Sequence, residues 1–134
     1  MRDIIFRGKT PNGEWAHGDL RQYASGAAAI KNSDFSCIAE VLPDTIGQYS
    51  GMTDNGSKPI FEGDILHVAL PATVTSREFV WPLMPVEFHE GAFGVWLSQR
   101  EFAPLRSFAS RVEFAVVGNI HDNPDLLKGG NGNV

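Results

Sequence analysis

Pro85-Val86-Glu87-Phe88-His89 and Ala92-Phe93-Gly94-Val95-Trp96-Leu97, separated by Glu90-Gly91, read as the two strands of a hairpin. Apolar residues recur at every second position, the repeat of a strand rather than of a helix. The glycine between the runs can take the positive φ that a tight turn needs. Val86 and Phe88 are expected to point one way, Glu87 and His89 the other. A third run, Val112-Glu113-Phe114-Ala115-Val116-Val117-Gly118-Asn119-Ile120, puts Val112, Phe114, Val116 and Ile120 on one face. Gly118 within it marks a bulge or a close approach of backbone.

The same punctuation extends in both directions. Fourteen Gly and eight Pro divide the 134 residues into short runs, which predicts a mostly β protein. Asn12-Gly13 precedes the strand Glu14-Trp15-Ala16-His17, a second turn at Gly18-Asp19 and a restart at Leu20. Asn55-Gly56, Ile60-Phe61-Glu62, Gly63-Asp64 and Ile65-Leu66 repeat the pattern. Such turn chemistry recurs in all-β chains and needs no duplication. Helix is expected only over Pro104–Arg111 and Asn123–Lys128, each opened by a proline at the first turn. Tyr23–Ser36 has no firm period, and Val68–Pro85 is broken by Pro71, Pro82 and Pro85, so both are expected as loops or edge strands.

Hydrophobic residues make up 43% of the chain and charged residues 20%, a balance that excludes disorder, and no apolar run is long enough to span a membrane. The formal net charge of −5 argues against binding nucleic acid through bulk charge, and residues 32–64 hold Asp34, Glu40, Asp44, Asp54, Glu62 and Asp64 against Lys58 alone. A single cysteine, Cys37, rules out an intrachain disulfide. Its place in an apparent strand predicts a buried, inert thiol, and the whole pattern suits a reducing cytoplasm.

Chemistry-bearing constellations are sparse. His17 with Asp19 and Glu87 with His89 each place an imidazole and a carboxylate on one strand face, but no H-x-x-x-H or C-x-x-C spacing accompanies them. Polar outer faces of strands supply such pairs routinely, so neither a metal nor another cofactor is expected. No nucleophile elbow, phosphate loop or dinucleotide fingerprint is present, and no enzymatic activity is expected. Phe6-Arg7, Arg21-Gln22-Tyr23, Arg77-Glu78-Phe79 and Arg100-Glu101-Phe102 interleave rings with arginine, which keeps nucleic-acid binding as the alternative function.

Phe6-Arg7-Gly8-Lys9, Gly47-Gln48-Tyr49-Ser50-Gly51, Ile60-Phe61-Glu62-Gly63-Asp64-Ile65 and Gly118-Asn119-Ile120-His121-Asp122-Asn123-Pro124 follow one another in this order. The chain thereby resembles the YopX family of phage and prophage proteins, whose members share F-R-G-K, G-Q-Y-T/S-G, I-Y/F-E-G-D-I and G-N-I-Y/H-D-N-P. The resemblance implies a mostly β fold containing an SH3-type barrel, a phage or prophage origin in a bacterial host, and assembly into oligomers. It implies no activity. The shared strings also have a structural reading, in which Asn119, Asp122 and Asn123 bond local backbone and fix the chain's exit from the last strand.

These readings combine into a single domain over residues 1–128, with an SH3-type small barrel at roughly 45–123, an additional N-terminal β segment, one or two short helical turns and a mobile tail at 129–134. The candidate binding surface is Gln48, Tyr49, Glu62, Asp64, Asn119 and Asp122, the polar members of the shared strings. Phe79, Trp81, Leu83 and Met84, in the apolar proline-broken stretch, are the candidate contact between copies. The expected function is that of a non-enzymatic accessory protein of the bacterial cytoplasm, acting by homo-oligomeric assembly or by binding a phage or host protein, with no membrane partner.

Overall fold

The computed structural model describes residues 3–32, 37–69, 83–97, 99–108 and 113–131. The chain divides into two compact units, Met1–Gly51 and Met52–Val134. In the first, β1 (Phe6–Lys9), β2 (Trp15–Gln22), β3 (Ala28–Lys31), β4 (Ile38–Val41) and β5 (Gly47–Thr53) form an antiparallel sheet in the order β4-β3-β2-β1-β5. A 3-10 turn, Pro43–Thr45, joins β4 to β5, and β5 continues past Gly51 into the second unit, where β6 (Pro59–Phe61) is its neighbour.

Strand alternation sorts this sheet into two faces. Ala28, Ile30 and Val41 are buried on one, with Phe6, Ala16, Leu20 and Ile46 packed against them. Register places Arg7, Lys9, Trp15, His17, Asp19, Arg21 and Lys31 on the other. Three expectations change here. The Gly18-Asp19 pair is no turn: β2 runs unbroken through it, because Gly18 sits where a Cβ would lie 2.0 Å from the Lys31 carbonyl oxygen, an approach only glycine permits. The aperiodic stretch after Tyr23 contains an inner strand, since Ala28-Ala29-Ile30 is buried on both sides and so shows no alternation. Cys37 is exposed rather than buried, lying just before β4 with its amide donating to Asn32 Oδ1 at 3.2 Å.

The second unit holds β7 (Asp64–Ala69), β8 (Leu83–Pro85), β9 (Glu87–His89), β10 (Ala92–Trp96), β11 (Phe102–Pro104), α1 (Leu105–Phe108), β12 (Glu113–Asn119) and α2 (Pro124–Asn131). They make two three-stranded antiparallel sheets, β12-β7-β8 and β11-β10-β9. Both contribute to one core of Ile60, Leu66, Val68, Met84, Val86, Val95, Leu105 and Phe114. The hairpin forms as read, with Ala92 opposite His89 and with Glu90 and Gly91 at φ 49° and 84°. Val86 and Phe88, however, do not share an environment: they are 1% and 53% exposed. Between them the chain leaves one sheet for the other. The Val86 amide donates to the Asp64 carbonyl and its carbonyl accepts from Gly63, while Phe88 already pairs with Phe93.

In β12 the register shifts between Val116 and Gly118, the bulge that Gly118 predicts. Phe114 is buried and Val116 half-buried, but Ile120 lies beyond the strand and is 38% exposed; Val112 falls outside the described residues. The helix after β11 begins at Leu105, because Pro104 is used as the last strand residue, and is described to Phe108; 109–111 of the expected helix lie outside the described residues. The helix after Asn123 is longer than expected and carries Gly129 and Gly130 as far as Asn131, leaving only 132–134 of the expected tail outside the described residues. The fold is mostly β, with antiparallel sheets and two short helices. Among the described residues the sheets do not join into a closed barrel, and no helix is long and apolar enough to cross a membrane.

Candidate functional site

The six polar residues of the shared strings divide between the units. In the first, Gln48 lies opposite Phe6, and the Tyr49 amide donates to the Ile5 carbonyl at 2.8 Å; both side chains are half-buried. In the second, Asp64 and Asn119 are register partners across β7 and β12. Asp64 is 2% exposed, and its Oδ2 accepts from the Phe61 amide at 2.7 Å, closing the turn that carries half-buried Glu62. Asn119 Oδ1 accepts from the amides of His121 and Asp122 at 3.0 and 2.9 Å, and its Nδ2 donates to Asp122 Oδ2 at 3.1 Å. Asn123 Oδ1 accepts from the Asn119 amide, and the Asn123 amide donates back to the Asn119 carbonyl. The Ile120 amide donates to the Gly63 carbonyl, so the turn and the strand exit are tied together. These bonds hold backbone where the chain turns sharply.

A second polar centre escaped sequence reasoning. Asp54, 8% exposed, accepts at Oδ1 from the amides of Gly56 and Lys58 at 2.8 and 2.9 Å, and at Oδ2 from the Val116 amide at 2.9 Å. Its neighbour Asn55 donates its amide to the Phe114 carbonyl and accepts the Phe114 amide at Oδ1. Two side chains of a turn thus stand in for a strand along the edge of β12, which would otherwise present unpaired groups. The signal available was aspartate preceding Asn-Gly, an Asx-turn pattern. Its partner strand, some sixty residues onward, leaves no mark on the local sequence. Burial pushes the Asp54 carboxyl upward, but the Val116, Lys58 and Gly56 amides and the Lys58 charge outweigh it and hold its pKa below the ordinary aspartate value.

Of the candidate contact between copies, Phe79 and Trp81 lie outside the described residues, and Leu83 is half-buried on β8. Met84 is 7% exposed and part of the second unit's own core, so a partner would find almost none of it to touch. The correction follows from alternation: Leu83 and Pro85 point one way on β8, Met84 the other. Met84→Ala is expected to destabilise the unit by about 2–3 kcal/mol in urea unfolding, with the molar mass in light scattering unchanged.

Three aromatic side chains meet on one face of the β11-β10-β9 sheet. The ring centres of His89 and Trp96 are 4.8 Å apart, those of His89 and Phe102 5.0 Å, and those of Trp96 and Phe102 5.1 Å in an edge-to-face arrangement. Register puts Trp96 opposite Phe102 and His89 opposite Ala92, on the face away from buried Val95. All three rings are half-buried. Gly94 between them has no side chain, which lets the rings meet over the middle strand. Sequence reasoning missed the cluster because its members come from three strands. His89 packs its ring against Trp96 and Phe102, and His17 is exposed on β2. Among the described residues no three His, Cys, Asp or Glu side chains gather into a metal-binding group.

Residues 6–128 match the family model described as YopX protein. The chain belongs to the YopX family. Its solved structural neighbours include protein EF1440 from Enterococcus faecalis, known from a crystal structure, at 24% identity and a TM-score of 0.59, with 95% of this chain and 99% of that chain covered. At that identity the likeness concerns the fold. No curated protein sequence matches the chain. On the YopX fold the shared strings fall at β1, at β5, at the β6–turn–β7 corner and at the exit of β12. Each is a place where backbone must bend or pair closely.

Proposed function

We propose that this YopX-family protein is a phage- or prophage-derived accessory protein without enzymatic activity, acting in the bacterial cytoplasm by protein binding or homo-oligomeric assembly. The observation that carries this reading is the His89–Trp96–Phe102 ring cluster on one face of a three-stranded sheet. Half-buried tryptophan and phenylalanine in contact form an anchor of the type that dominates protein interfaces, where a central aromatic group is desolvated by a partner. Phe88, 53% exposed on the neighbouring edge strand, lies on the opposite face of that sheet against Phe93 and is no part of this anchor. Two three-stranded sheets sharing one core, with a helical turn before the last strand, support an SH3-type small barrel as the ancestry of the second unit.

Light scattering behind a sizing column tests the assembly reading. The parent protein is expected as a defined multimer, and the double substitution Trp96→Ala with Phe102→Ala is expected to shift it toward monomer while the far-ultraviolet spectrum is retained. Parent protein that is monomeric at all concentrations, and that draws no specific partner from host or phage lysate through these rings, would remove the reading.

A further inference from the structure

We infer that the polar face of the β1–β2–β3 sheet is a binding surface for single-stranded nucleic acid, a partner beyond the protein contacts proposed above. Alternation along β2 places Trp15, His17, Asp19 and Arg21 on this face, and Tyr23 follows in the same phase. Two rings therefore bracket the strand, about 27 Å apart at the usual rise of an extended chain. Register adds Arg7 and Lys9 from β1 and Lys31 from β3, so four of the eleven cations of the chain share one face with two acids from the neighbouring strands, Asp19 and Glu40. The net charge of −5 is thus not spread evenly, and this face has the opposite local sign.

The cations and rings are also already arranged together. The Arg7 guanidinium carbon lies 4.6 Å from the Trp15 ring centre and the Lys9 ammonium 5.6 Å from it; the Arg21 guanidinium carbon is 5.8 Å from the Tyr23 ring centre. Arg7 is 8% exposed, so it fixes positive potential beneath Trp15 rather than reaching outward. Arg21 is exposed and Tyr23 is 48% exposed, which offers a phosphate contact beside a stacking platform. Phosphates neutralised by cations and bases stacked on rings are the two elements of sequence-tolerant single-strand binding, and the bracket length suits about four nucleotides. A flat carboxylate-rich peptide would use the cations but gain nothing from the rings.

Fluorescence anisotropy with labelled oligothymidylate and oligouridylate of about twelve nucleotides, titrated with the full chain from about 50 to 200 mM salt, tests this. Binding is expected to weaken with salt with a logarithmic slope no steeper than about 3, the limit for four cations on a single strand. Tyr23→Ala is expected to lower affinity about tenfold with the slope unchanged, and Arg21→Gln to reduce the slope by about 0.7. Both residues are exposed, and thermal melts of the variants verify that the fold is intact. The inference is overturned by absence of binding at low salt, by affinities that neither substitution alters, or by polyglutamate competing as well as oligothymidylate does.

Discussion

Asp54→Ala is expected to lower the stability of the second unit by about 3 kcal/mol or more, because it strips the partners from three backbone amides, those of Gly56, Lys58 and Val116. Hydrogen bonds to an ionised acceptor are stronger than neutral ones, so losing three at once costs more than three ordinary bonds would. The edge of β12 would open as well, since Asn55 depends on the same turn to pair with Phe114. Asp54→Asn keeps the shape and one acceptor oxygen and is expected to lose about half as much. The charge also predicts a pH dependence. The folded pKa of Asp54 is depressed, so its contribution is complete above the unfolded value near 4 and is lost as pH falls through the folded one. Urea unfolding should therefore show a gap between the parent protein and Asp54→Asn that is constant from about pH 5 to 7 and narrows below about pH 4. A gap that stays constant down to about pH 2 would mean that the carboxylate charge is not what holds the turn.

Gly94→Ala is expected to be at least as damaging, at about 3–4 kcal/mol, and to act on the ring cluster as well as on stability. A Cβ at this position would lie 2.2 Å from the Ala103 carbonyl oxygen and 2.8 Å from Pro104 Cα. Both atoms are backbone of β11, which cannot retreat without unpairing Gly94 from Pro104 and Trp96 from Phe102. Gly51 provides the contrast: at φ +87° with nothing within 4 Å of an added Cβ, alanine there should cost only about 1 kcal/mol, the strain of its backbone conformation. Thermal unfolding compares the two, and near-ultraviolet circular dichroism reports whether Trp96 has left its neighbours. Equal melting temperatures for the two variants would show that β10 and β11 tolerate a wider separation than their pairing indicates.

The hairpin around Glu90-Gly91, the bulge before Gly118 and the bonding role of Asn119, Asp122 and Asn123 were legible in the sequence because each is decided within a few residues. Glycine, asparagine and aspartate act on the backbone beside them. The family strings belong to the same class, since they mark turns and strand exits and keep their order along the chain. The unequal burial of Val86 and Phe88 is hidden from the sequence for the opposite reason. Two residues of equal phase on one strand share a face, but the chain changes sheets between them, and only the partners of Val86 in the Gly63–Asp64 corner reveal it. The inner strand β3 was hidden likewise, because burial on both faces erases the alternation by which a strand is recognised.

Of the candidate surfaces, the polar strings are visible by their residue types, and within them Asp64 and Asn119 bond backbone at corners of the fold. A proline-broken apolar stretch reads as exposed, whereas β8 turns the Met84 side chain into the core. The ring cluster and the cation-bearing face of the first sheet were not visible as units, because their members are contributed by separate strands.

By itself the sequence determined the class of fold, most of its turns, the family and the absence of intrachain disulfide chemistry, all of which follow from composition, local backbone preference and motif order. Tertiary structure alone decided which strands are neighbours, that Asp54 and Asn55 cover the edge of β12, and which half-buried rings and cations share a face. Strand pairing joins residues far apart in the chain through backbone bonds common to every residue type, so the side chains carry little record of which partner was chosen.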